Sequence, residues 1–150
     1  MCCVTVRFDL LHYGHILLFQ KARQLGDRLI VTITADKFVA KGPGRPVFNE
    51  RQRYNWIREQ RSVDDCFIVV DASGVNPILY FRPEIYAKGR DTVQWTEVIA
   101  EEKAAIESVG GELVYVDTGT VFHSGDLMSG RYLGVNSAAT WDSNTGEFKK

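Results

Sequence analysis

Apolar, β-branched runs alternate with helix-period segments along almost the whole chain, and that alternation admits few folds. Residues 2–6, 28–34, 66–70, 85–87 and 112–116 read as five strands, each flanked by turn residues or charge. Between them the spacing predicts helices over 14–25, 49–60, 77–81 and 96–109. Groupings such as Leu18/Ala22/Leu25 and Ile99/Ile106/Val109 put apolar side chains on one helix face. Near-continuous apolar strands are buried on both faces, and a helix between strands is the crossover that parallel pairing needs. The expected fold class is therefore α/β: a single domain with a five-stranded parallel sheet and helices on both faces. The stretch 134–150, rich in Ser, Asn, Thr and Gly, reads as a polar C-terminal tail on a domain of residues 1–133.

Charge and cysteine usage narrow the function. Eighteen basic side chains against 19 acidic ones give a formal charge of −1, so there is no broad basic face for a nucleic acid. No apolar run approaches the ~20 residues of a membrane helix. Cys2, Cys3 and Cys66 form neither a CxxC pair nor a zinc spacing and are read as reduced. The chain carries no secretory pattern ahead of Arg7 and Asp9, so a cytoplasmic location is expected. A lipid anchor on Cys2-Cys3 is the weaker reading of a run, Cys2 to Val6, that fits a buried first strand. An anionic ligand must then be held by a local cluster of donors.

In an open parallel sheet such a ligand sits beyond the carboxyl ends of the strands. The post-strand segments are 7–15, 36–45, 71–75, 88–91 and 117–126. The first reads Arg7-Phe8-Asp9-Leu10-Leu11-His12-Tyr13-Gly14-His15, an HxGH pattern running into an amphipathic helix. It places two imidazoles at a helix N-terminus, where unpaired amides and the helix dipole attract anions. Gly14 lets a ligand approach the backbone. The imidazoles can donate to phosphoryl oxygens and stabilise charge growing on a phosphate under attack.

The segment from Phe8 to His15 resembles the signature of the HxGH nucleotidyltransferase superfamily, particularly its cytidylyltransferase-like branch. Residues 25–31 resemble that branch's second strand, 41–47 its lysine loop and 53–63 its following helix. Residues 82–91 are similar to its fourth strand and nucleobase loop. The resemblance covers roughly residues 4–130, with the nucleotidyltransferase domain of bifunctional heptose-phosphate enzymes and the glycerol-3-phosphate cytidylyltransferases closest. It implies a Rossmann-like nucleotidyltransferase fold. It also implies transfer of CMP or AMP from CTP or ATP to a small phosphate or phosphonate acceptor such as a sugar or polyol phosphate. Pyrophosphate leaves, and Mg2+ arrives with the nucleotide.

Residue by residue, the resemblance implies that His12, His15, Lys41 and Arg53 are catalytic. Arg7, Phe8, Asp9 and Gly14 line the nucleotide, as do Lys88, Gly89 and Asp91 at its base and ribose. Asp36, closing the second strand, either caps the next turn or faces the acceptor. At the final element the family carries a run of small hydroxyl residues, and this chain has Phe122-His123-Ser124-Gly125-Asp126-Leu127. His123, Ser124 and Gly125 are then the remaining phosphate contacts. A second departure is Val6-Arg7, where the family has Gly and a small residue: Arg7 either adds a phosphate contact or obstructs one.

No metal site of the chain's own is expected. A metal hydrolase built on His12, His15 and His123 and a nucleotide-binding regulatory domain without turnover are the rival readings. Homodimers are common in the family; a helix face including Tyr54 and Trp56 serves either that contact or the core.

Overall fold

The computed structural model describes residues 1–7, 11–39, 44, 46–92, 96–119 and 140–149. Five strands, β1 (Cys2–Val6), β2 (Leu29–Thr34), β3 (Asp65–Val69), β4 (Ile85–Gly89) and β5 (Glu112–Val116), form one all-parallel sheet in the order β3-β2-β1-β4-β5. Strand order reverses between β1 and β4, which fixes the ligand crevice at the carboxyl ends of those two strands. Four helices cross between strands: α1 (Tyr13–Gln24), α2 (Glu50–Arg58), α3 (Val75–Phe81) and α4 (Thr96–Ser108).

Alternation along the strands separates two cores. Cys2, Val4, Val6, Leu29, Val31, Ile33 and Cys66 face α1 and α2, packing on Leu18, Phe19, Ala22 and Ile57. Cys3 and Tyr86 face the other way, onto Ile78 of α3 and Ala105 and Ile106 of α4. All six residues of β2 are buried, which is why its sequence is an unbroken apolar and threonine run. Tyr54, one of the two aromatics weighed for a dimer contact, packs against the first core, and Trp56 packs on Phe48 with ring centroids 4.5 Å apart and planes inclined at 51°.

Element ends differ from expectation where side chains decide them. Asn49 is the N-cap of α2 rather than its first residue, accepting from the Gln52 amide at 2.9 Å. The third helix starts two residues early because Pro77 falls in its first turn, where a missing N–H costs nothing. Strand β4 runs on to Gly89 because Lys88 and Gly89 pair with Tyr115 and Val116.

Within the stretch read as a polar tail, β6 (Thr140–Asp142) and β7 (Glu147–Lys149) pair as an antiparallel hairpin. The Asp142 carboxylate accepts the Asn144 amide at 2.8 Å, and Gly146 closes the turn at φ 69°. Among the described residues no helix is long and apolar enough to cross a membrane.

Candidate active site

The exit of β1 leads directly into α1, whose N-cap is His12, in extended conformation. His15, one turn further on, turns its ring back: its Nδ1 accepts the His12 amide at 3.3 Å, and the two ring centroids are 3.8 Å apart. A neutral imidazole that accepts at Nδ1 carries its proton on Nε2, so His15 keeps a donor at the far side of the ring. The first turn of α1 itself contains no acidic residue. Lys21 and Arg23 occupy the last turn, where cations are favoured. Two imidazoles at the positive end of a helix dipole can hold a phosphate and follow its charge as it grows.

The strands flanking β1 supply the neighbours. After β2, Asp36 opens a short 3-10 turn and pairs with Arg53 of α2, Nη2 to Oδ1 at 2.6 Å. Arg53 is fully buried; its Nη1 donates to the Thr34 carbonyl at 2.8 Å and its Nε to the Phe48 carbonyl at 3.1 Å. The structure therefore sets Arg53 as a pin, with three of its donors spent on the two ends of the segment containing Lys41. Asp36 is likewise occupied as the partner of Arg53.

After β1, Arg7 donates from Nη2 to the Ala72 carbonyl at 2.7 Å, binding the turn that follows β3. After β4, the Gly89 carbonyl accepts the Thr92 hydroxyl at 2.7 Å, closing a 3-10 turn that includes Asp91. Lys88 is buried. Two residues beyond Tyr86 on the same strand face, it points at α4, where its ammonium lies 2.8 Å from Glu102 Oε2. Its charge is thus neutralised inside the fold.

The structure brings His12, Gly14 and His15 together at the β1 exit, between Asp36 and Arg53 on one side and Gly89 and Asp91 on the other. Phe8, Asp9, Lys41, His123, Ser124 and Gly125 lie outside the described residues, as does the side chain of Asp91. Sequence reading missed Glu102 altogether. It interrupts the apolar stripe Ile99-Ala105-Ile106 of α4, and a charge in that register was the available signal.

None of the three thiols belongs to the site. Cys2, Cys3 and Cys66 are free and buried, and loss of solvation pushes Cys2 to about 11, Cys66 to about 12 and Cys3 higher still.

A 3-2-1-4-5 parallel sheet with paired imidazoles at the first helix start defines an α/β domain of the nucleotidyltransferase class. The chain belongs to the cytidylyltransferase-like family, which matches residues 5–137. It is 36% identical over 112 residues to the bifunctional protein HldE of Methylobacillus flagellatus and 38% identical over 112 residues to that of Gluconobacter oxydans. Each match covers 73% of this chain but only 22% and 23% of the relative, so the chain spans about a fifth of those proteins. Among solved structures it is similar to the lipopolysaccharide core biosynthesis protein of Thermoplasma volcanium, with TM-score 0.62 and 28% identity over 77% of this chain and 93% of that one. Its fold is also that of the pantoate-beta-alanine ligase of Francisella tularensis, with TM-score 0.55 and 15% identity over 77% of this chain and 58% of that one.

Proposed function

We propose that the protein transfers a nucleoside monophosphate from CTP or ATP to a sugar phosphate. The observation that carries this reading is the His12–His15 ring pair at the N-terminus of α1, at the point where strand order reverses. An acceptor phosphate oxygen attacks the α-phosphorus in line, the new P–O bond forms, and the bond to the β-phosphate oxygen breaks to release pyrophosphate. The acceptor is already anionic, so little general-base help is needed; positioning and charge stabilisation supply the acceleration.

His12 and His15 then donate to the α-phosphoryl oxygens as charge builds, at the positive end of the α1 dipole. In this reading the turn at Gly89–Asp91 takes the nucleobase and ribose, Lys41 neutralises triphosphate or acceptor phosphate charge, and His123, Ser124 and Gly125 serve the β- and γ-phosphates. Mg2+ enters as the magnesium complex of the nucleotide and is part of the substrate; among the described residues no three His, Cys, Asp or Glu side chains converge on a resident ion. A cytoplasmic homodimer belongs to the same reading, and sedimentation velocity measures its second half.

Pyrophosphate release, measured with CTP and with ATP against a panel of sugar and polyol phosphates, tests the proposal. Release that requires one acceptor class and one base supports it and names both. Nucleotide binding without release under every acceptor replaces it with the regulatory reading.

A further inference from the structure

Glu102 sits in α4 on the far side of the sheet from α1, is 1% exposed, and holds three groups, one from the turn after β3 and two from β4. Its Oε1 accepts the Gly74 amide at 2.8 Å and the Tyr86 hydroxyl at 3.2 Å, and its Oε2 pairs with the Lys88 ammonium at 2.8 Å. Gly74 caps α3 at the end of the turn after β3; Lys88 is the penultimate residue of β4, one residue before the Gly89 turn. The approach is close: a Cβ on Gly74 would stand 2.1 Å from the Tyr86 hydroxyl and 2.9 Å from Glu102 Oε1. The other side of the same turn is held by Arg7, at the Ala72 carbonyl. One short turn therefore bridges the residue that precedes the HxGH segment and the residue that precedes the base loop.

A buried ion pair is poor value as a stabiliser, since well-packed apolar residues of similar volume commonly hold a fold as well or better. Here the pair lies at a strand exit, beside the site rather than in the middle of the sheet. We propose that Glu102 is a positioning residue of the nucleotide site, tying the turn after β3 and the end of β4 into one rigid unit. Its consequence for turnover rests on the transfer reading above; the tie itself does not.

Two variants separate these. In Glu102→Gln the amide oxygen still accepts from Gly74 and Tyr86 but no longer balances Lys88. In Lys88→Met/Glu102→Leu both polar ties are gone and the volume is kept. By amide hydrogen exchange, the Gln variant is expected to keep wild-type protection over 71–74 and to exchange at least tenfold faster over 88–91. The double variant exchanges faster over both, with 29–34 unchanged. In turnover, both raise the KM for nucleotide about tenfold and leave the acceptor KM within twofold.

A folded double variant with wild-type exchange at both turns and wild-type nucleotide KM overturns the proposal, because the pair is then only filling. If that variant does not fold, wild-type exchange over 88–91 in Glu102→Gln overturns it equally. If the wild-type chain transfers no nucleotide at all, the transfer reading falls and the exchange pattern still decides the tie.

Discussion

The Arg53 guanidinium and the Asp36 carboxylate meet at 2.6 Å, at the two ends of the segment that contains Lys41. Arg53 is fully buried, while the Asp36 side chain is 36% exposed, and that asymmetry sets the outcome of removing either one. Arg53→Ala leaves the Thr34 and Phe48 carbonyls without their donor and a carboxylate without its partner. It is expected to cost about 3–5 kcal/mol. Asp36→Asn leaves a charged hydrogen bond weakened beside water and costs about 1–3 kcal/mol. Urea denaturation of the two variants reads the order directly, and equal losses would contradict the pin.

The pair was legible only as two separate residues. The family resemblance implied a catalytic arginine at Arg53, and Asp36 stood at a strand exit; that each would engage the other needed the closure of β2 against α2, which no local pattern encodes. Strands β1 and β2 were legible nearly to the residue because burial on both faces leaves an apolar run with no ambiguity of register. Lys88 was read as the first residue after a strand ending at Ala87; its pairing with Tyr115 keeps it in β4, and the strand alternation set by Tyr86 turns its side chain to Glu102. The hairpin at 140–149 was hidden because its strands are three residues long, too short for a period-2 pattern to show against polar surroundings.

Removal of the His15 ring tests the chemistry without touching the core. One hydrogen-bond donor aimed at developing charge is worth about 10²–10³ in turnover, so His15→Ala is expected to lose that much kcat while its unfolding midpoint stays close to wild type. His12→Ala, which removes the other ring of the stack, is expected to fall in the same range. Steady-state pyrophosphate release checks both, and a variant with undiminished kcat removes the imidazoles from the mechanism.

Stability at alkaline pH follows from the thiols. Cys2 and Cys66 lose their protons at about 11 and about 12 in the folded chain because burial opposes the thiolate, against an ordinary value of 9.0. Above pH about 9 the unfolded chain therefore releases protons that the folded chain retains, so the folded state loses ground as pH rises. The thiol contribution is complete below pH 9 and is lost progressively between 9 and about 12. Burial and the Glu102 charge raise the Tyr86 phenol in the same direction. Denaturant midpoints from pH 7 to 11 are expected to be flat in their thiol part to about 9 and to decline beyond it. Iodoacetamide at pH 8 is expected to label the thiols only after unfolding.

Two glycines separate lack of space from backbone conformation. Gly74 has an ordinary backbone, φ −84°, but no room: Tyr86 is fully buried and its hydroxyl occupies the position next to any Cβ. Gly110, closing α4, has open space around it but φ +82°, in the left-handed region. Gly110→Ala is expected to cost about 1–2 kcal/mol, the penalty of that conformation for an L side chain, with nucleotide kinetics unchanged. Gly74→Ala is expected to cost about 1–3 kcal/mol through overpacking and to push Tyr86 and Glu102 away from the turn. Its nucleotide KM therefore rises together with the loss of stability. Adding Tyr86→Phe, which removes the hydroxyl at 2.1 Å, is expected to restore part of the stability of Gly74→Ala and none of that of Gly110→Ala. The two double variants, melted side by side, distinguish a steric cause from a conformational one.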